Sequence, residues 1–351
     1  MSFTNMTTHK FLADGGFIAN YRCHAACAHC LYGSSPDAEP GYVSEEDAAR
    51  ICRDLRRLGC RGLHVGGGEP FTDPLGMAAL IRAIEGSGIG VDYIETNAAW
   101  ITGNIPRDRE ILLAAVKNRS HTVMISADPF HVEFIPFWKP VALLKLLREE
   151  GYPFFIWQQR YWTELLKLDP TRTYTPDELR EALGYDLAGR CVKEYGMGFN
   201  GRALKLLRAS AQKKPHGSFL SGEPCGNLNS VNHFHADYLG RFIAPGCTGF
   251  GILTGDLGVF FDPTSGIFDP TSGVSNYTSG IFDPTSGVSN YTSGVSNPTS
   301  YPVCSRLYSG GTSALFAYAQ KKGFVPADGY VSKCDLCFNM RKFLYETDKS
   351  G

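Results

Sequence analysis

Between Phe17 and Trp157, short apolar runs alternate with amphipathic stretches. Phe17–Tyr21, Gly62–Val65, Val91–Thr96, Thr122–Ser126 and Phe154–Trp157 predict strands. Ser44–Leu58, Pro74–Gly86, Arg107–Lys117 and Lys139–Glu150 predict the helices between them. The first helix opens on a capping box, Ser44 with Asp47 three residues on, and sets Ala48, Ile51, Cys52, Leu55 and Leu58 on one face. Such repetition predicts a parallel sheet or (β/α) barrel with polar groups gathered at the carboxyl ends of the strands. Pro170–Leu207 reads as mainly helical, with a glycine-rich interruption at Gly196–Gly201. From about Ser218 the chain turns to Gly, Asn, His and aromatic residues in short strand-like pieces, which predicts a second, smaller domain.

Inside that second region, IFDPTSG from Ile267 alternates with VSNYTSG in sevens up to Gly294, and a degenerate VSNPTS follows. Seven residues are too few for a solenoid coil, and DPTSG is turn chemistry. Residues 261–300 therefore read as a flexible or loosely turned insertion, with a substrate-covering flap as the alternative.

The 351 residues carry 34 basic and 35 acidic side chains, a net charge of −1. That balance gives no long-range pull toward nucleic acid or anionic lipid. No apolar run reaches the ~18 residues of a membrane span, and Met1–Lys10 lacks the apolar core of a secretory signal. The expectation is a cytoplasmic protein without nucleic-acid or membrane partners. Eleven cysteines are then many, and an odd number cannot all pair. In a reducing compartment they suggest metal or cluster ligation.

Cys23, Cys27 and Cys30 form C-x3-C-x2-C directly after the first strand. Three thiolates so close converge on a soft metal centre, and a trio leaves one coordination position open. Zinc completed by His24 or His29 is the rival, although zinc favours paired C-x2-C knuckles. The next strand ends on Gly66-Gly67-Gly68-Glu69-Pro70. Consecutive glycines let backbone approach a ligand closely, and an acidic side chain there can hold an ammonium group.

The two motifs together resemble the radical S-adenosylmethionine (SAM) superfamily. Over residues 16–210 the resemblance implies a partial (β/α)6 TIM-like barrel. Cys23, Cys27 and Cys30 would bind a [4Fe–4S] cluster whose open iron is chelated by SAM, and Gly67, Gly68, Glu69 and Pro70 would contact the methionyl ammonium. Reductive cleavage would yield methionine and a 5′-deoxyadenosyl radical that abstracts hydrogen from substrate. Asn97 and the Ser126-Ala127-Asp128 element resemble further SAM contacts, though each reads equally as a helix cap or Asx turn. His131 and Glu133 are candidate substrate contacts. Arg160 reads equally as a carboxylate anchor and a surface ion pair.

Cys225 and Cys247 flank a strand–turn–strand pattern bent at Leu239-Gly240, and Cys334 and Cys337 form a C-x2-C leading into a helix. Two pairs read as one closed site, zinc or iron–sulfur. With Gly201-Arg202-Ala203 as lead-in, the arrangement resembles the small α+β twitch domain, the shorter relative of the SPASM domain. The resemblance implies one auxiliary [4Fe–4S] cluster on Cys225, Cys247, Cys334 and Cys337. The resulting organisation is a lead-in at 1–15, the barrel at 16–210, the auxiliary domain at 211–345 interrupted at 261–300, and a tail at 346–351. Cys52 and Cys60 read as core, Cys304 has no visible role, and Cys191 is a candidate hydrogen-atom donor or cluster ligand.

The expected activity is radical oxidation or cross-linking of a peptide or protein side chain, with a small-molecule dehydrogenase or rearrangement enzyme as the alternative. A flavodoxin- or ferredoxin-type reductant is the expected electron source. With about fifteen residues ahead of the first strand, a separate partner would bind any leader peptide. An electron-transfer or zinc-stabilised binding protein is the non-enzymatic rival, against which the SAM-type glycines argue.

Overall fold

The computed structural model describes residues 13–194, 201–229, 233–240, 242–244, 247 and 302–349. The heptapeptide repeats at 261–300, Gly196–Asn200 and most of the lead-in lie outside them. Six parallel strands form the sheet: β1 (Asp14–Ile18), β2 (Gly62–Gly66), β3 (Gly90–Thr96), β4 (Val123–Ser126), β5 (Phe154–Trp157) and β6 (Phe234–Asp237). A short β7 (Phe242–Ile243) runs antiparallel to β6, and the spatial order is β5-β4-β3-β2-β1-β6-β7. Helices α1 (Glu45–Arg57), α2 (Pro74–Gly86), α3 (Ile105–Ala115) and α4 (Trp138–Glu150) connect the first five strands. This is an α/β architecture, a parallel sheet with helices in its connections, as the resemblance implies.

The α1 stripe is buried as its spacing requires, and the Asp47 N–H donates to Ser44 Oγ at 3.0 Å. Cys52 and Cys60 are fully buried in the core between the helices and the sheet. Strand β5 and helix α2 coincide with the sequence pattern.

Strand β1 begins at Asp14, three residues ahead of the apolar run, because its two glycines are strand residues rather than a turn. A Cβ at Gly15 would lie 2.5 Å from the carbonyl oxygen of Phe234, so only glycine lets β6 approach. The hairpin expected around Leu239-Gly240 forms, with Gly240 at φ 78. Its first strand pairs with β1, at the opposite edge of the sheet from β5. The sixth parallel strand thus comes from residues that follow Ser218.

After β5 the chain forms α5 (Trp162–Leu165), α6 (Pro176–Leu183), α7 (Leu187–Glu194) and α8 (Ala203–Ser210). Two longer helices, Pro302–Lys321 and Lys333–Lys349, pack on each other beyond α8. Arg208 of α8 donates through Nε to Asp335 at 2.8 Å. Lys214 and Tyr330 exchange backbone hydrogen bonds of 2.9 and 2.8 Å.

Candidate active site

The loop after β1 carries the three cysteines to the carboxyl end of the sheet. Cys23, Cys27 and Cys30 all line one cavity of about 220 Å³, together with Gly67, Gly68, Pro70, Asn97, Ser126 and His131. Burial, followed by the charge of Glu69, pushes the Cys23 thiol up to about 12. Burial and then Asp128 push Cys27 up as well. A bound cation would stabilise the thiolates that this burial disfavours, and three cysteines line the one cavity. The donor set therefore fits a metal cluster.

The glycine turn is stitched to this loop. Gly68 N–H donates to Asn20 O at 2.9 Å, and Glu69 N–H donates to Arg22 O at 2.9 Å. Gly67 sits at φ 136, and a Cβ at Gly68 would stand 1.9 Å from Arg22 O. Both positions require glycine. Glu69 is fully buried and sits outside the cavity-lining set. Its Oε1 accepts from Phe71 N and Thr96 Oγ1 at 3.1 and 2.9 Å, and its Oε2 accepts from Asn97 N at 2.9 Å. The carboxyl thus ties the end of β2 to the end of β3, and burial raises it to about 7.

Asn97, held by that bond, donates through Nδ2 to Cys23 Sγ at 3.2 Å. Asp128 is buried between two imidazoles, His29 Nε2 at 3.0 Å and His131 Nδ1 at 2.9 Å. Although burial opposes ionisation, His131 and His29 hold its carboxyl well below the usual range. Among the described residues this trio is the only group of three ligating side chains whose donor atoms all lie within 4.8 Å of one another.

Other candidates lie elsewhere. His24 is exposed and absent from the cavity lining. Cys191 is buried beside Tyr161 and is absent from the cavity lining. Arg160 sits at the surface, 3.8 Å from Glu194. Residues that the motifs do not mark also line the cavity: Tyr32, His64, Tyr93, Glu95, Trp157, His233 and His235. The alternation of β2 and β3 was their one sequence signal, since His64, Tyr93 and Glu95 occupy strand positions where a core would be apolar.

Cys225, Cys247, Cys334 and Cys337 line a second, smaller cavity with Lys333 and buried Arg341. Cys334 and Cys337 stand one turn apart at the start of the last helix, where free N–H groups favour thiolates. Burial pushes Cys247 up to about 12 and Cys337 up to about 11, while Arg341 pulls both down. In the neighbouring helix, a kink at Gly310-Gly311 lets the backbone press close, because a Cβ at Gly311 would be 2.1 Å from Glu223 O. Four thiols lining one small cavity are a donor set that fits a shared soft-metal centre.

Comparison with known proteins agrees with this geometry. Residues 17–184 match the radical SAM superfamily. The mycofactocin maturase MftC of Mycobacterium tuberculosis is 33% identical over 85 residues, 24% of this chain and 21% of the relative. This chain thus spans about a fifth of the length of the curated relatives it matches. Among solved structures, Streptococcus suis SuiB bound to precursor peptide SuiA is 16% identical at a TM-score of 0.40, covering 70% of this chain and 61% of that one. Native anSMEcpe with bound AdoMet and Cp18Cys peptide is 15% identical at a TM-score of 0.36, covering 66% and 73%. No described helix is long and apolar enough to cross a membrane. Over residues 17–184, just under half of its length, the chain is thus similar to the radical SAM superfamily.

Proposed function

We propose that this protein is a radical SAM enzyme that oxidises or cross-links a side chain of a peptide or protein, assisted by one auxiliary [4Fe–4S] cluster. The observation that carries the reading is the single cavity shared by the three-cysteine loop, the Gly67-Gly68 backbone, Asn97 and Ser126. A [4Fe–4S] cluster on Cys23, Cys27 and Cys30 supplies the electron that cleaves SAM, drawn from a flavodoxin- or ferredoxin-type reductant. Around it, Asn97 steadies the Cys23 sulfur, and Glu69 holds Asn97 in place. Pro70 and the glycine turn wall the site from solvent.

Cys225, Cys247, Cys334 and Cys337 would hold the auxiliary cluster, and the maturase similarity favours a peptide substrate.

Anaerobic reconstitution followed by iron, sulfide and zinc analysis tests this reading. About eight irons per chain, as two [4Fe–4S] clusters require, with 5′-deoxyadenosine formed from SAM under dithionite, is the expected result. Stoichiometric zinc without iron would overturn it.

A further inference from the structure

Away from the cysteines, the cavity is walled by imidazoles that the SAM chemistry leaves without a role. Gly16 of β1 is in register with His64 on β2 and with His235 on β6. A Cβ there would lie 2.3 Å from His64 Nε2 and 2.6 Å from His235 Cδ2. The glycine therefore lets two rings from non-adjacent strands lean over β1 until their centroids are 5.1 Å apart. His233 completes the group, 5.4 Å from His64 and 5.3 Å from His235. Its φ of 60 is a conformation that a non-glycine residue adopts at a cost, and such strain gathers at functional positions.

The wall is flat, polar and without fixed charge. Tyr93 stacks on His64 at 4.9 Å with the planes 3° apart. Burial pushes His64 down to about 3 and His235 well below the usual range, so both rings are neutral near pH 7. A neutral imidazole carries one donor and one acceptor, and His64 already spends one of its two on the Gly15 backbone. Tyr32 Oη meets His235 Nε2 at 3.1 Å, while buried His235 Nδ1 has no partner. Glu95 lies 3.6 Å from His64 Nε2, and burial lifts it to about 7. A carboxylate or phosphate entering here would meet Glu95 and neutral rings, because His131, the cavity's cationic ring, is already paired with Asp128 at 2.9 Å, and burying an unpaired charge is costly. A planar group with a hydroxyl edge can stack on the rings and both give and accept a hydrogen bond.

We propose that this imidazole-lined half of the cavity receives an uncharged flat ring bearing a hydroxyl on the substrate, a phenol in its simplest form. The inference rests on the cavity being the active site. It assigns His64 and His235 to substrate recognition, with Tyr93 as the stacking face.

The test uses the reconstituted holoenzyme with SAM and four probes of one shape: 4-methylphenol, toluene, 4-methylbenzoate and 4-methylbenzylamine. Ligand-observed NMR titration is expected to give 4-methylphenol an affinity about tenfold above toluene, the worth of one net hydrogen bond. The two ions should bind more weakly than 4-methylphenol. His235→Phe, or His64→Phe if the first fails to fold, should erase the hydroxyl advantage while iron content stays unchanged. Equal binding of toluene, preference for either ion, or an advantage untouched by both variants would overturn the proposal. SAM cleavage without probe discrimination sinks the recognition site alone. Discrimination without SAM cleavage sinks the radical reading alone.

Discussion

Arg202 donates through Nε to the carbonyl oxygen of Cys27 at 2.9 Å, across a separation of 175 residues. The same guanidinium reaches the Gly33 carbonyl at 3.0 Å and that of Ser34, and the Arg202 N–H meets Cys30 O at 3.1 Å. One side chain thus fixes the cysteine loop from the segment that follows the barrel helices. Its positive charge also lowers the cost of a thiolate at Cys27.

Arg202→Ala is therefore expected to weaken the loop's hold on iron by roughly 10–100-fold, as loss of a partner behind metal ligands does. Arg202→Lys should recover little, because one ammonium cannot serve three carbonyls in a plane. Iron retention under a graded chelator challenge measures it. Unchanged retention in Arg202→Ala would remove the stapling role.

Asn97→Ala deletes the hydrogen bond to Cys23 Sγ. Such bonds stabilise the more negative, reduced cluster, so their loss lowers the reduction potential. A shift on the order of tens of mV to more negative values is expected, read by EPR-monitored titration. A positive shift would contradict the assignment.

Glu95 gives the apoprotein a pH-dependent stability. Its folded value, raised to about 7 by burial and then by Glu69, exceeds that of an exposed glutamate. The native state therefore holds the proton longer than the unfolded chain. Stability from this group is present below about pH 4.5 and is lost as pH rises toward 7. Glu95→Gln should remove a slope worth about 1–3 kcal/mol over that window. Urea unfolding of both proteins at pH 5 and pH 7 reads it, together with the change it causes in its coupled neighbour Glu69, since groups that do not interact with Glu95 cancel in the difference. Parallel behaviour of the two would refute the raised value.

Replacing Cys334 and Cys337 by alanine should halve the iron of the reconstituted protein, from about eight to about four. Reductive cleavage of SAM should persist, since the other three cysteines line a separate cavity. Loss of all iron would mean that the two sites are not independent.

The linear pattern of apolar and polar residues determined the local elements from Gly62 to Trp157. A strand's period of two and a helix's of 3.6 are written into consecutive residues, so β5 and α2 could be read directly. The C-x3-C-x2-C and Gly-Gly-Glu-Pro motifs were equally legible, because each is a local device with fixed spacing. Tertiary structure alone decided what lay far apart in the chain. Gly15 and Gly16 fell outside the apolar run that begins at Phe17, and only Phe234, His64 and His235, closing on them from two sides, make them strand residues. Arg202 stood only as part of the lead-in to the auxiliary domain, and the contact of its guanidinium with the cysteine loop shows in the fold alone. Glu69 looked like a ligand-facing acid until three donors from two chain segments surrounded it. Non-local contacts depend on which strand edge meets which, and no periodicity encodes that choice: β6 joins β1 because glycine leaves room there, a fact visible only once both strands are in place.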